Sequence, residues 1–319
     1  MKLLEVKNLI KHFPVKNHKG QVVHAVDDVS FHINEGETLG LVGESGCGKS
    51  TCARTIIRIY DPTGGEIIFD GQNLATLSQR ELKPIRKNMQ MIFQDPYTSL
   101  NGRMTVRDII AEPLIAHKIG NSQKERHEMV AQMLKQVGLN TEHGTRYAHE
   151  FSGGQRQRIG IARALILKPK LVICDEPISA LDVSIQAQII NLLTEFQQKE
   201  KLTYLFIAHD LSVVEYISDH VGVMYLGKLV ELSESKELYK NPLHPYTQGL
   251  LASIPALDIH AGKITDKAEM SGDLPSPISL PSGCRFCGRC PYAKKICAEA
   301  EPPMKEAAPG HMVACYLYS

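Results

Sequence analysis

The sequence contains no apolar run approaching the ~20 residues that a membrane-spanning helix requires. Its opening residues, Met1-Lys2-Leu3-Leu4-Glu5, do not read as a secretory signal. There is no excess of charge: 36 Lys and Arg stand against 35 Asp and Glu. That balance removes the electrostatic case for nucleic acid or an anionic membrane surface as a partner. Internal repeats and low-complexity tracts are also lacking. Together these absences predict a cytosolic protein whose membrane role, if it has one, comes through a partner. Hydrophobic content of 43% and charged content of 22% are ordinary for a globular chain. A length of 319 residues holds one large α/β domain with a small appendage, or two domains.

What is present begins with Gly43-Glu44-Ser45-Gly46-Cys47-Gly48-Lys49-Ser50, which fits G-x-x-x-x-G-K-[ST]. Glycines let the backbone approach phosphate oxygens and take dihedrals that a Cβ blocks. Successive N–H groups form a nest for an anion, and the helix that follows adds its positive end. Lys49 is placed to reach the β/γ-phosphates and Ser50, followed by Thr51, to ligate Mg²⁺. The flanks have the required form. Thr38 to Val42 reads as a short buried strand, and Thr51 to Tyr60 as a helix with Ile56, Ile57 and Tyr60 at core spacing. A chance glycine-rich turn does not come with that context.

Ahead of the loop, Leu3 to Phe13 reads as a strand, followed by a polar turn at 17–20. Val22 to Ile33 reads as a strand pair, so an antiparallel layer precedes the phosphate loop. Beyond it, Glu66 to Phe69 is a strand closed by an Asp70-Gly71 turn, and Met89 to Phe93 is a buried strand ending at Gln94. From Met104 to Leu139 the apolar spacing is helical. A further helix is expected from Arg156 to Leu167, then an apolar strand, Leu171 to Cys174. A helix from Ile185 to Lys199 and a strand from Thr203 to Ala208 follow. Alternating strands and helices around a phosphate loop imply an α/β fold with a parallel sheet. Residues 255–281 are rich in Pro, Gly and Ser and read as a linker.

The strand Leu171–Cys174 delivers Asp175 and Glu176 to the carboxyl end of a sheet, where ligands bind in open α/β folds. Asp175 is placed to hold Mg²⁺, and Glu176, pointing elsewhere, to polarise an attacking water. A plain helix N-cap is the structural alternative for such a pair.

The phosphate loop, Gln94, Phe151-Ser152-Gly153-Gly154-Gln155, Asp175-Glu176, Ser179-Ala180-Leu181-Asp182 and His209 occur in the order and spacing of the ATP-binding subunits of ABC transporters, which the chain resembles over nearly its whole length. The resemblance implies a cassette with a parallel-sheet core, an antiparallel layer and a helical subdomain. Its expected division is an ATPase core at 1–100 and 157–240, a helical subdomain at 101–156, and a C-terminal extension at 241–319. It implies that Ser152, Gly153, Gly154 and Gln155 serve the γ-phosphate bound on a partner subunit, so that two ATPs are sandwiched head to tail. Gln94 would reach Mg²⁺ or the attacking water, His209 the γ-phosphate, and Phe13 the adenine face. The loop from Asp95 to Met104 would meet a membrane subunit. A lone His after a strand is usually structural, and ordinary strand packing is the alternative for Phe13. Phe151 departs from the family's commoner Leu, an apolar exchange.

Asn241-Pro242-Leu243-His244-Pro245-Tyr246-Thr247 has no catalytic logic of its own and reads as a turn before a helix. It resembles a segment of the ATPases of oligopeptide, dipeptide and nickel importers, as does the tail around Cys284-Arg285-Phe286. In those systems two paralogous ATPases pair beneath two permease subunits at the cytoplasmic face of the membrane, fed by an extracytoplasmic binding protein. Gln155 and Arg163 resemble the second ATPase of the pair. The implied function is ATP-driven import of oligopeptides or dipeptides, with nickel or another small solute as the alternative. A soluble ABC ATPase of translation or DNA repair would carry two cassettes or a coiled-coil insert. A non-hydrolytic subunit would not retain Glu176 and His209.

Five of the eight cysteines, Cys284, Cys287, Cys290, Cys297 and Cys315, crowd the last 36 residues. In a reducing compartment such crowding suggests metal before disulfides. The spacing matches neither a ferredoxin run nor paired zinc ligands, so Fe–S, zinc and plain thiols all stay open. The resemblance implies that Cys284, Cys290, Cys297 and Cys315 hold a [4Fe–4S] cluster and that Cys287 is an additional thiol.

Overall fold

The computed structural model describes residues 1–15, 18, 20–253 and 275–318. Half of the polar turn expected at 17–20 and most of the linker expected at 255–281 lie outside the described residues. Two compact units emerge, one comprising 1–33, 38–75 and 208–319, the other 34–37 and 76–207.

The first unit carries two layers of strands. One is a four-stranded sheet in the order Val22–Asn34, Lys2–Pro14, Gly64–Phe69, Gln72–Asn73. Lys2–Pro14 and Gly64–Phe69 run antiparallel, with Leu4 opposite Phe69. The expected strand pair at 22–33 forms a single strand, Val22–Asn34, that is kinked at Asp28, where φ is +60°. The Asp70-Gly71 turn forms as expected, both residues having positive φ. The other layer is built on Thr38–Val42, every residue of which is buried. It runs parallel to His220–Tyr225, which pairs antiparallel with Lys228–Glu234. The C-terminal strands His311–Val313 and Lys305–Ala308 then extend that edge.

The second unit contains three parallel strands, Met89–Ile92, Leu171–Asp175 and Thr203–Ile207, with Ile92 beside Cys174 and Asp175 beside Ile207. Their apolar side chains are buried on both faces, the pattern of a covered parallel sheet. The helices Val106–Ala116 and Gln123–Gln136 pack together, and Ile110, Leu114, Val130 and Leu134 on them are buried. Two helices begin earlier than expected. One spans Lys49–Ile56, stopping where Arg58 takes φ +59°, and the other spans Gly153–Leu165. The second starts three residues early because Ser152 and Gln155 form a reciprocal capping box. No helix among the described residues is long and apolar enough to cross a membrane.

Candidate functional site

The phosphate loop connects the buried strand Thr38–Val42 to the helix Lys49–Ile56. Its shape depends on two glycines. Gly43 and Gly48 have φ of +146° and +109°, and a Cβ on either would run into a carbonyl oxygen, that of Met224 or of Ala25. Lys49 is only 4% exposed. Its ammonium donates to the carbonyls of Gly43 at 2.7 Å and Glu44 at 3.0 Å, so the loop closes around its own lysine. The Cys47 carbonyl accepts the Gly227 N–H at 2.8 Å. Burial pushes the Cys47 thiol up, so the loop's cysteine is neutral wall rather than nucleophile. Such a loop can receive phosphate oxygens on backbone N–H groups and a buried cation.

In the same unit, Phe13 packs edge-on against Tyr60 with centroids 5.3 Å apart, and the Lys11 ammonium lies 4.8 Å from the Phe13 ring centre. His209 is exposed and immediately precedes Asp210, whose carboxylate caps the helix Leu211–Ile217.

The second unit brings Gln94 and Glu176 together. Asp175, fully buried, ends its strand. Glu176 follows at φ +46°, donating its N–H to the Ile207 carbonyl at 3.0 Å. Gln94 Nε2 donates to Glu176 Oε2 at 2.7 Å. A carboxylate oriented by an amide at the end of a parallel sheet can accept a proton from water. Ser152 caps its helix by accepting the Gln155 N–H at 3.4 Å, while Gln155 Oε1 accepts the Ser152 N–H at 3.1 Å. Gly154 serves packing: a Cβ there would sit 2.5 Å from Cγ2 of Ile185. Gly153 has ordinary space around it, and its first-turn N–H has no intrahelical acceptor.

The tail belongs to the first unit. Cys284, Cys287, Cys290, Cys297 and Cys315 line one small cavity. Burial pushes the Cys284 thiol up to about 11, and raises Cys290 and Cys315 as well. Among the described residues the only group of three or more potential ligand atoms within 4.8 Å of one another is His12, His24 and Asp27, not any trio of these sulfurs. Burial acts to raise the Asp27 carboxyl, but its pairing with Arg285 outweighs this and holds it low.

The role of the 241–247 segment escapes sequence reasoning. His244 is buried and its Nδ1 accepts the Tyr246 N–H at 3.0 Å, capping the helix Pro245–Ala252. Tyr246, also buried, accepts the Glu44 N–H of the phosphate loop on its hydroxyl at 2.8 Å. Glu231, wholly buried, accepts from the N–H groups of Leu243 and His244 and pairs with His311 Nε2 at 2.7 Å. Arg289, between two of the tail cysteines, grips Glu44 with both terminal nitrogens, at 2.7 and 2.9 Å. An acid inside a phosphate-binding loop is the one sequence signal that asks for such a cation.

Phosphate loop, strand-end acids and capped serine-glycine-glycine helix define an ABC-type ATPase cassette. The ABC transporter profile matches residues 26–179, and the profile of the oligopeptide/dipeptide transporter C-terminal region matches 230–297. The chain is 57% identical over 322 aligned positions to the oligopeptide transport ATP-binding protein AppF of Bacillus subtilis, covering 99% of this chain and 98% of AppF. It is 62% identical over 258 positions to OppF of the same organism, covering 81% and 84%. Among solved structures, the dimeric ATP-binding cassette MJ0796 bound to ADP and Pi aligns with a TM-score of 0.67 at 28% identity, over 73% of this chain and 98% of that one. The chain therefore belongs to the oligopeptide/dipeptide branch of the ABC transporter ATP-binding proteins.

Proposed function

We propose that this chain is the ATP-hydrolysing subunit that energises import of oligopeptides or dipeptides across the cytoplasmic membrane. The observation that carries this is one chain holding a glycine-shaped phosphate loop around Lys49 and an oriented Gln94–Glu176 pair, with 57% identity to an oligopeptide transport ATP-binding protein along nearly its full length. In this reading Gly43 to Thr51 bind the ATP phosphates and Phe13 stacks on adenine. Glu176 takes a proton from the attacking water, Gln94 orients it, and His209 contacts the γ-phosphate. Ser50, Gln94 and Asp175 are the residues that would hold Mg²⁺, which would supply charge neutralisation to the phosphates. Ser152 to Gln155, in the helical subdomain at 101–156, complete the site of a paralogous ATPase. Two permease subunits complete the assembly at the cytoplasmic face, and Tyr97, 58% exposed in the short helix Pro96–Ser99 after Gln94, suits a docking surface there. Nickel import draws no comparable support.

Within the extension at 241–319, we propose that Cys284, Cys290, Cys297 and Cys315 hold a [4Fe–4S] cluster, with Cys287 additional. A tetrahedral zinc–thiolate centre with ~2.3 Å bonds brings its sulfurs to ~3.8 Å from one another. Five thiols around one cavity with no trio within 4.8 Å suit a larger polynuclear group. When bound, that group cross-links a tail too small to build its own core. Broad absorption near ~400 nm in anaerobically purified protein supports the cluster; zinc alone would sink it.

Titration of the chain with ATP tests the site. Lys49→Ala should lose nucleotide affinity, and an unchanged affinity contradicts the assignment.

A further inference from the structure

The pair Arg289–Glu44 joins the cysteine-rich tail to the phosphate loop. Glu44 has an awkward place for an acid, since its carboxylate carries the same sign as the triphosphate the loop is shaped to hold. Its backbone N–H is satisfied by the Tyr246 hydroxyl at 2.8 Å. Its two carboxylate oxygens take the parallel fork of Arg289. Both ends of the residue are thus held from outside the loop.

The fork is fixed in turn. Arg289 is 9% exposed and Glu44 26%, so solvent screens the pair only in part. The guanidinium lies 5.8 Å from the ring centre of Tyr225 and 5.9 Å from that of Phe286, and these rings pack edge-on against each other. Tyr246 packs against both, at 4.7 and 5.5 Å between centroids. Arg289 ends the one-turn helix Cys287–Arg289, and the chain is tied nearby by buried Arg285 to the Leu226 carbonyl and Asp27. A planar guanidinium meeting a carboxylate in two bonds fixes direction as well as charge.

We infer that Arg289 is a positioning residue for ATP, acting through Glu44. It cancels the carboxylate's repulsion of the phosphates and sets the loop's backbone, so the cysteine-rich tail sets nucleotide affinity. This rests on the phosphate loop being the ATP site, as proposed above. Without Arg289 a bare carboxylate remains in the loop, and the penalty grows with phosphate charge. Removing that carboxylate as well takes away the reason for Arg289.

The test is isothermal titration of the full chain with ATP, ADP and adenosine in wild type, Arg289→Ala, Arg289→Lys and the double variant Arg289→Ala/Glu44→Gln. Arg289→Ala should weaken ATP about tenfold, ADP less, and adenosine not at all. Arg289→Lys, which keeps a cation without the fork, should fall between. The double variant should recover most of the ATP affinity, a rescue that merely structural damage would not show. ATP affinity of Arg289→Ala within twofold of wild type overturns the inference, as does a double variant no better than the single. Should Arg289→Ala not fold, Arg289→Lys binding ATP as tightly as wild type overturns it equally. A wild-type chain that binds no ATP instead overturns the site assignment on which this depends.

Discussion

Gln94 Nε2 lies 2.7 Å from Glu176 Oε2, joining residues that emerge from the ends of two neighbouring parallel strands. Glu176 is held in a left-handed backbone conformation, with its N–H bonded to Ile207 and its carbonyl accepting from the Ser179 hydroxyl. A non-glycine residue in that region costs roughly 1–3 kcal/mol and persists where the surroundings fix it, which is common at reactive sites.

Glu176→Gln keeps the shape of the side chain but cannot accept a proton as a carboxylate does. Hydrolysis should fall by about 10²–10⁴-fold, the range for loss of a general base, while ATP still binds. Phosphate release and nucleotide titration on the same preparation check this. Turnover at the wild-type rate would remove Glu176 from that role.

Gly154→Ala would place a methyl group against Cγ2 of the half-buried Ile185. Overpacking of this kind costs about 1–3 kcal/mol. Thermal unfolding should show the loss, and Ile185→Ala in the same chain should return part of it. An unshifted midpoint would mean that Gly154 is required for something other than packing.

His244 gives a pH signature. Burial lowers its pKa from 6.5 to about 4, with Glu231 opposing the shift. The folded chain therefore keeps this ring neutral while the unfolded chain protonates it. Between about pH 6.5 and 4 the unfolded state binds the extra proton, so this contribution to stability falls as pH falls through that window. The full loss is about 3 kcal/mol. Asn also caps helices and has no charge to gain, so His244→Asn should flatten that part of the stability curve. An identical slope in variant and wild type would contradict the assignment.

Glu231 accepts from three groups at complete burial. Glu231→Ala leaves two backbone N–H groups and a histidine without their acceptor, at a cost of roughly 3–5 kcal/mol. Limited proteolysis should then cut within 228–318 at protease levels that spare the wild type. Equal resistance would show that these groups find other partners.

The phosphate loop and the strand bearing Asp175 were legible in the sequence because each is a local pattern: glycines at fixed spacing, then four apolar residues before an acid. The tail's attachment was not legible. Lys305–Ala308 is exposed along its whole length, so no buried face announces a strand, and only pairing with His311–Val313 makes it one. Arg289 and Tyr246 meet Glu44 across 245 and 202 residues of chain, a distance over which no periodicity speaks. The helix Gln79–Arg86, missed in the sequence, carries a Ser78/Glu81 capping box that marks its start, yet its interior Pro84 and single buried residue hide it.

The most direct test of the whole account is uptake of a labelled oligopeptide by proteoliposomes containing this chain with its proposed permease and ATPase partners, with ATP inside the vesicle at the cassette face and the proposed binding protein outside. Uptake should require ATP and vanish when this chain carries Glu176→Gln. ATP-independent uptake, or uptake undiminished by Glu176→Gln, would contradict the claim that this chain's hydrolysis drives import.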